Sequence, residues 1–237
     1  MKWQNDIAQN LSWSQEISNY EEKLAVAQQV AQKVENGHVI GAGSGSTSFL
    51  ALKEISKRIK EEGIQCKIVP TSREIEISAG VLGVPVTSLL IDQPDWCYDG
   101  ADEVDADGNM IKGRGGAMYR EKLIMSSTKA HNQGKIYILV DNTKFVTRLG
   151  ERFAVPVEVD QEALHYVETE LKQLGAAEVT FRLAKSKDGP VVTESKHFIL
   201  DARFDKIESG LEHDIKQITG VIECGLFWGY APEVLTS

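Results

Sequence analysis

The succession of short apolar runs and helical repeats predicts an α/β protein, with a Rossmann-like, mainly parallel sheet flanked by helices and a smaller ferredoxin-like α+β domain. Three observations carry this prediction. Strand-sized apolar runs alternate with helical periods as far as Gly150. Apolar runs also lead into glycine-rich loops that open helices. After Gly150 the rhythm changes to β-α-β-β-α-β, the order of a ferredoxin-like unit.

The segment through Asn19 is polar, carries Trp3 and Trp13, shows no clear period and is expected to be an arm or a short helix. Between Tyr20 and Asn36, Leu24, Ala27, Ala31 and Val34 recur at helical spacing, and Gly37 supplies a stop. His38–Ile40 reads as a strand, Gly41–Thr47 as a loop, and Phe49, Leu52, Ile55 and Ile59 as one face of the next helix. Further strands are expected at Cys66–Val69, Val84–Ser88, Trp96–Tyr98 and Ile136–Val140, with helices at Glu74–Leu82 and Ala117–Thr128. Beyond Gly150 come a strand at Phe153–Val159 and a helix carrying Leu164, Val167, Leu171 and Leu174. Strands at Val179–Leu183 and Phe198–Phe204 flank the turn-rich Lys185–Pro190, and a helix with Leu211, Ile215 and Ile218 leads to Val221–Trp228. The larger domain is expected to comprise residues 1–150 and 221–237, with the last strand returning to the main sheet, and the smaller one residues 151–220.

With 237 residues, 42% of them hydrophobic, the chain can bury one large core or two smaller ones. A formal net charge of -9 without a basic patch argues against nucleic-acid binding, so an anionic ligand must be met locally. Three widely spaced cysteines (Cys66, Cys97, Cys224) and the lack of a secretory leader point to the cytoplasm. The scattered histidines suggest no metal site, and no apolar run approaches the roughly 20 residues that span a bilayer.

Four segments carry candidate chemistry. In Gly41–Thr47 the glycines let the backbone approach a ligand, and the hydroxyls of Ser44, Ser46 and Thr47 precede a helix expected to begin just after Thr47, which favours a phosphate or the polar end of a sugar. The loop lacks the lysine of a P-loop and the GxGxxG spacing of a dinucleotide site, and the alternative reading of the loop by itself is a tight turn with a Ser/Thr cap. In Tyr98–Asp105, Asp99 and Asp102 straddle Gly100-Ala101 at the end of a strand, where they can face sugar hydroxyls, while Glu103 and Asp105 are expected to point to solvent or to cap structure. In Lys112–Leu123 a glycine-rich loop opens a helix. Lys112 suits an alkoxide or enediolate oxygen, and Glu121, about one helical turn in and flanked by Arg120 and Lys122, can face the same cavity. Glu121 considered alone is a surface residue paired with a cation. Lys144, in Asp141–Lys144 after a strand, is a phosphate-binding candidate or simply a cation on an exposed turn.

Taken together and in order, GAGSGST, DGADEVD, KGRGGAMYREKL and DNTK followed by VPVEV resemble the ribose-5-phosphate isomerase A family from about Tyr20 to Trp228. The resemblance implies the two-domain architecture, no cofactor, a cytoplasmic enzyme and a homodimer or tetramer. It places substrate binding on Ser44, Gly45, Ser46 and Thr47, on Asp99, Gly100, Ala101 and Asp102, on Lys112, Gly113, Arg114 and Gly115, and on Lys144, with Glu121 as proton acceptor. Asp99, Asp102 and Lys112 join Glu121 as the expected catalytic set. The function implied is aldose–ketose isomerisation of ribose 5-phosphate and ribulose 5-phosphate through an enediolate, in the non-oxidative pentose phosphate pathway. Alternatives are an isomerase of another small aldose phosphate, a sugar-phosphate-sensing domain of a transcription regulator, which should carry a DNA-binding helix-turn-helix that this sequence does not show, and a coenzyme A transferase relative with a nucleophilic glutamate.

Overall fold

The computed structural model describes residues 16–131 and 133–237, so the expected N-terminal arm with Trp3 and Trp13 lies outside the described residues. The chain divides into two compact units, the first running to Gly100 and adding Leu123–Thr143 and Pro232–Ser237, the second comprising Ala101–Lys122 and Lys144–Ala231.

The first unit holds a five-stranded, all-parallel sheet ordered β12-β6-β3-β1-β2, with β1 at Val39–Ala42, β2 at Lys67–Pro70, β3 at Trp96–Asp99, β6 at Lys135–Leu139 and β12 at Glu233–Leu235. Helices α1 (Tyr20–Ala31), α2 (Ser46–Glu62) and α3 (Arg73–Leu82) bury Val26, Val30, Leu52, Ile55 and Ile75 with Ile40, Ala42, Trp96 and Tyr98 from one pleat of the strands. Each such aliphatic side chain withdrawn from water contributes roughly 1.5–3 kcal/mol. On the opposite pleat, Cys97 and Ile124 of α4 (Met118–Ala130) fill the space that a Cβ on Gly41 would take, so helix and strand approach closely only because residue 41 has no side chain. The strands that begin the α/β rhythm therefore have helices on both faces.

Helix ends follow local chemistry. The Ser72 hydroxyl accepts from the Ile75 amide to cap α3, and Gly83 in the left-handed region closes it. Helix α1 stops at Ala31 rather than running on to Asn36, because the chain tightens through Lys33 and Val34, whose amides bond three residues back. The Arg58 guanidinium then takes the Ala31 and Val34 carbonyls at 2.7 and 3.0 Å, satisfying acceptors the helix leaves open.

The second unit carries an antiparallel sheet ordered β10-β7-β9-β8, from β7 (Val155–Val159), β8 (Ala176–Phe181), β9 (Phe198–Phe204) and β10 (Val221–Cys224). Helices α5 (Leu164–Gln173) and α6 (Leu211–Gln217) complete the ferredoxin-like order and bury Val167, Leu171 and Ile215 with Val155, Val157, Val159, Leu200 and Ala202. A three-stranded sheet ordered β11-β5-β4 joins Leu226–Phe227, Met110–Ile111 and Glu103–Val104.

Three expectations need correction. The segment Val221–Trp228 does not return to the main sheet: β10 pairs antiparallel with β7, β11 pairs with β5, and the parallel partner of β6 is β12. Val84–Ser88 forms only an isolated bridge between Val86 and Ile68, not a strand. The division into units also differs from the expected 1–150 plus 221–237 and 151–220, because the small β4–β5–β11 sheet groups residues 101–122 with residues 144–231.

The three cysteines are free thiols and buried, Cys66 and Cys97 in the first unit and Cys224 in the second. No helix among the described residues is long and apolar enough to cross a membrane.

Candidate active site

In the first unit the sheet order reverses at β1, since β2 lies on one side of it and β3 on the other. Open α/β sheets bind ligands beyond the carboxyl ends of the two strands at such a switch point. Here those ends release Gly43–Thr47 after β1 and close β3 on Asp99 before Gly100, and the two segments are bonded to each other. The Gly43 amide donates to the Tyr98 carbonyl at 2.8 Å. The Asp99 carboxylate accepts from the amides of Ser44 at 3.2 Å and Gly100 at 2.8 Å. Asp99 is only 2% exposed, and a Cβ on Gly43 would overlap its carboxylate.

Helix α2 starts at Ser46, earlier than expected, because Gly45 takes a φ of 89° that turns the chain directly into the helix. Ser46 and Thr47 are thus its first two residues, and their amides belong to the first turn, which lacks intrahelical acceptors and carries the positive end of the helix dipole. The Ser44 hydroxyl bonds the Thr71 hydroxyl at 2.6 Å, and the buried Lys23 ammonium donates to the Ser46 hydroxyl at 3.3 Å. This cluster of hydroxyls, amides and one ammonium is suited to an anion.

In the second unit Lys112 follows directly on β5, its amide fixed to the Gly225 carbonyl at 2.9 Å. Its ammonium lies 3.3 Å from Glu121 Oε2 and 5.5 Å from the centre of the Phe227 ring. Glu121 sits in the first turn of α4, where the helix dipole favours a carboxylate. Asp102 Oδ2 accepts from the Arg114 amide at 3.1 Å, joining the acidic segment to the loop between Lys112 and Glu121. The Arg114 guanidinium lies 5.6 Å, and the Lys144 ammonium 5.9 Å, from the centre of the same Phe153 ring, so two cations share one aromatic ring. Lys144 closes the 3₁₀ turn Asn142–Lys144, whose start is bonded by Asp141 Oδ1 to the Thr143 amide at 2.9 Å.

The neighbours of these residues have other work. Glu103 is fully buried and accepts from the amides of Gly150, Arg152 and Phe153 at 2.7, 2.6 and 2.8 Å, and Asp105 accepts from the Asp107 and Asn109 amides, so both cap structure and Glu103 does not face solvent. Lys122, expected simply to flank Glu121, is buried and bonded to Glu212, Glu223 and the carbonyls of Cys224 and Leu226 at 2.6–2.9 Å. Burial pulls its ammonium toward the neutral form, but Cys224, Glu223 and Glu212 together hold it above the ordinary lysine value. Among the described residues no group of three or more His, Cys, Asp or Glu side chains could hold a metal ion.

Sequence reasoning missed Lys23, Thr71, Phe153 and Phe227 as neighbours of the candidate residues. Lys23 is one cation on a helix, Thr71 stands in a Thr-Ser step that is shared with the family without revealing its contact with Ser44, and the two phenylalanines fall within expected strands.

The family model described as ribose 5-phosphate isomerase A (phosphoriboisomerase A) matches residues 67–237. A ribose-5-phosphate isomerase A from Methanothermobacter thermautotrophicus is 40% identical over 215 residues, covering 90% of this chain and 92% of that relative. The structure of ribose 5-phosphate isomerase A from Methanocaldococcus jannaschii superimposes with a TM-score of 0.85 at 35% identity, covering 93% of this chain and 98% of that one. A D-ribose-5-phosphate isomerase in complex with phospho-erythronic acid gives a TM-score of 0.86 at 36% identity, covering 92% and 94%.

Proposed function

We propose that this chain, which belongs to the ribose 5-phosphate isomerase A family, interconverts D-ribose 5-phosphate and D-ribulose 5-phosphate in the non-oxidative branch of the pentose phosphate pathway. The observation that carries the chemistry is the buried contact between Lys112 and Glu121, a carboxylate and an ammonium set 3.3 Å apart with 6% and 3% of their side chains exposed.

Isomerisation moves one proton between adjacent carbons. With the sugar ring open, the Glu121 carboxylate takes the proton from C2. The electrons of that C–H bond form the C1–C2 double bond, and charge develops on O1. Lys112 and Asp102 hold O1 and O2, the ammonium compensating the enediolate charge where little water competes. The O2 hydroxyl proton is given up as O1 gains one, and protonated Glu121 returns its proton to C1, so the carboxylate is regenerated without redox chemistry. Asp99 assists ring opening. Ser44–Thr47, Gly100, Ala101, Gly113–Gly115 and Lys144 bind the rest of the substrate, and binding energy taken from the phosphate serves to orient the reacting carbons. The related enzyme bound to phospho-erythronic acid supports this substrate class, because that ligand is a phosphorylated sugar acid whose carboxylate bears charge much as an enediolate does.

We also infer a cytoplasmic enzyme, from its three free, buried thiols, and a homodimer or tetramer. The adjacent Leu90 and Ile91, 97% and 77% exposed, are the kind of apolar surface a second copy covers. Light scattering gives the subunit count directly.

The decisive assay is turnover of ribose 5-phosphate against a panel of other aldose phosphates, with Glu121→Gln alongside. Replacing the base should lower kcat by about 10²- to 10⁴-fold. Near-normal turnover by that variant would remove Glu121 from its role, activity on another sugar alone would change the substrate, and binding without turnover would make the chain a sensor.

A further inference from the structure

Arg182, just beyond β8, lies outside every motif singled out in the sequence, yet it reaches the loop that links Lys112 to Glu121. Its Nη1 donates to the carbonyls of both Gly113 and Arg114, each at 3.0 Å. The other edge of the guanidinium is held by Asp201 of β9, with Nε on Oδ2 at 2.8 Å and Nη2 on Oδ1. The two residues come from neighbouring strands, for Phe181 pairs with Leu200 and the Arg182 amide bonds the Ile199 carbonyl. With side-chain exposures of 16% and 25%, the pair forms a braced fork whose remaining donors face the loop.

What the fork does follows from the peptide plane. In a trans peptide the C=O and the N–H point in opposite directions, and no peptide bond among the described residues is cis. The Gly113–Arg114 peptide has its carbonyl on Arg182 and its amide on Asp102 Oδ2 at 3.1 Å, so one rigid plane is held at both ends. The next peptide has its carbonyl on the same Nη1, which turns the Gly115 N–H toward the side that Asp102 occupies. Gly113 has a φ of 99°, in a region where glycine moves easily, and the loop's own bond, from the Gly116 amide to the Gly113 carbonyl at 3.0 Å, restrains the first of these planes but not the second.

We propose that Arg182, braced by Asp201, is a positioning residue for isomerisation: it sets the Gly113–Arg114 and Arg114–Gly115 peptides, and through them Asp102, the Gly115 amide and the segment joining Lys112 to Glu121. The inference rests on the isomerase reading above. Without the fork the loop keeps its sequence and its ligands but samples several orientations, so substrate still binds while the reacting geometry is populated less often. Misplacement of about 1 Å is enough to cost a hundredfold in rate.

The test is steady-state kinetics of the full-length protein on ribose 5-phosphate for Arg182→Met, Arg182→Lys, Arg182→Ala and Asp201→Asn, with thermal melts of each and Glu121→Gln as reference. Arg182→Met should lower kcat about 10- to 100-fold while KM moves less than about threefold. Arg182→Lys, which keeps one set of donors, should fall between it and the parent. Millimolar guanidinium should restore part of the kcat of Arg182→Ala, and Asp201→Asn should lose only a few-fold. A purely structural arginine would lower the melting temperature and leave kcat, measured well below the melt, at the parent value with no guanidinium rescue, and that result overturns the proposal. If Arg182→Met does not fold, Arg182→Lys and Asp201→Asn decide by the same split. Failure of the isomerase reading is separate: it shows as an inactive parent protein or a fully active Glu121→Gln, whatever Arg182 does.

Discussion

Lys112 Nζ and Glu121 Oε2 stand 3.3 Å apart in a region that leaves 3% and 6% of their side chains exposed. Each ion helps to compensate the other's lost hydration, so the pair is costly to break from one side. Lys112→Met should destabilise the protein by about 3–5 kcal/mol, since it removes the ammonium paired with a buried carboxylate. For a chain of this size that lowers the melting temperature by about 10 °C. Lys112→Met combined with Glu121→Gln should recover most of that loss while remaining inactive. A double-mutant cycle by thermal melting measures the coupling, and additive losses would show that the two side chains do not depend on each other.

Glu103 offers a contrast, a carboxylate in the acidic stretch Tyr98–Asp105 whose three amide bonds make it structural. Glu103→Ala leaves those buried donors without an acceptor and should cost about 2–4 kcal/mol. Glu103→Gln should cost less, because Oε1 still accepts from Arg152 and Phe153 and only the bond to Gly150 is lost. Urea unfolding curves should rank the parent above Gln and Gln above Ala.

Gly43→Ala tests the close approach of β1's exit to Asp99. The added methyl overlaps both the carboxylate and the Cα of Asp99, so the whole residue must shift and the carboxylate moves from the Ser44 and Gly100 amides. We expect a loss of about 1–3 kcal/mol from overpacking and a fall in kcat approaching 100-fold. Parent-like kcat would show that Asp99 need not stay where its amide bonds hold it.

Glu158 should make stability depend on pH. Burial pushes its carboxyl above the ordinary glutamate value, against the lowering effect of the Thr193 hydroxyl, His197 and the Tyr119 amide. A carboxyl raised on folding contributes fully below its unfolded value, near 4.3, and that contribution is lost as pH rises through the elevated folded value. Glu158→Gln keeps an acceptor for Thr193 and cannot ionise. Its melting temperature relative to the parent should therefore rise as pH is taken from 4 upward and then level off. A difference that stays flat with pH would mean that Glu158 titrates normally.

The parts of this fold visible in sequence are those fixed by local periodicity. β9 appears at Phe198–Phe204 as read, and β1, β3 and β6 fall within a few residues of their expected places, because their apolar runs are bounded by turn residues. The three-stranded β4–β5–β11 sheet was invisible, since two-residue strands have no period to detect. The return of β12 to β6 was misread because Val221–Trp228 is the more apolar run, and burial against β7 claimed it. Among the candidate residues, the glycine loops and acidic stretch announced themselves by composition. Arg182 could not, because its meaning depends on a strand pairing with Asp201 and on two carbonyls, which carry no residue identity.

The buried cysteines give the protein an internal clock for its own opening. Cys66 and Cys97 are 4% and 1% exposed in the first unit, and Cys224 is wholly enclosed in the second. Burial pushes the Cys224 thiol up to about 11, so at neutral pH it is protonated as well as hidden. A thiol-reactive dye can then attach only during excursions that expose these side chains, and its rate counts those excursions. Because the cysteines are divided between the units, mapping which of them is labelled first would time the loosening of each unit separately, with no engineered reporter.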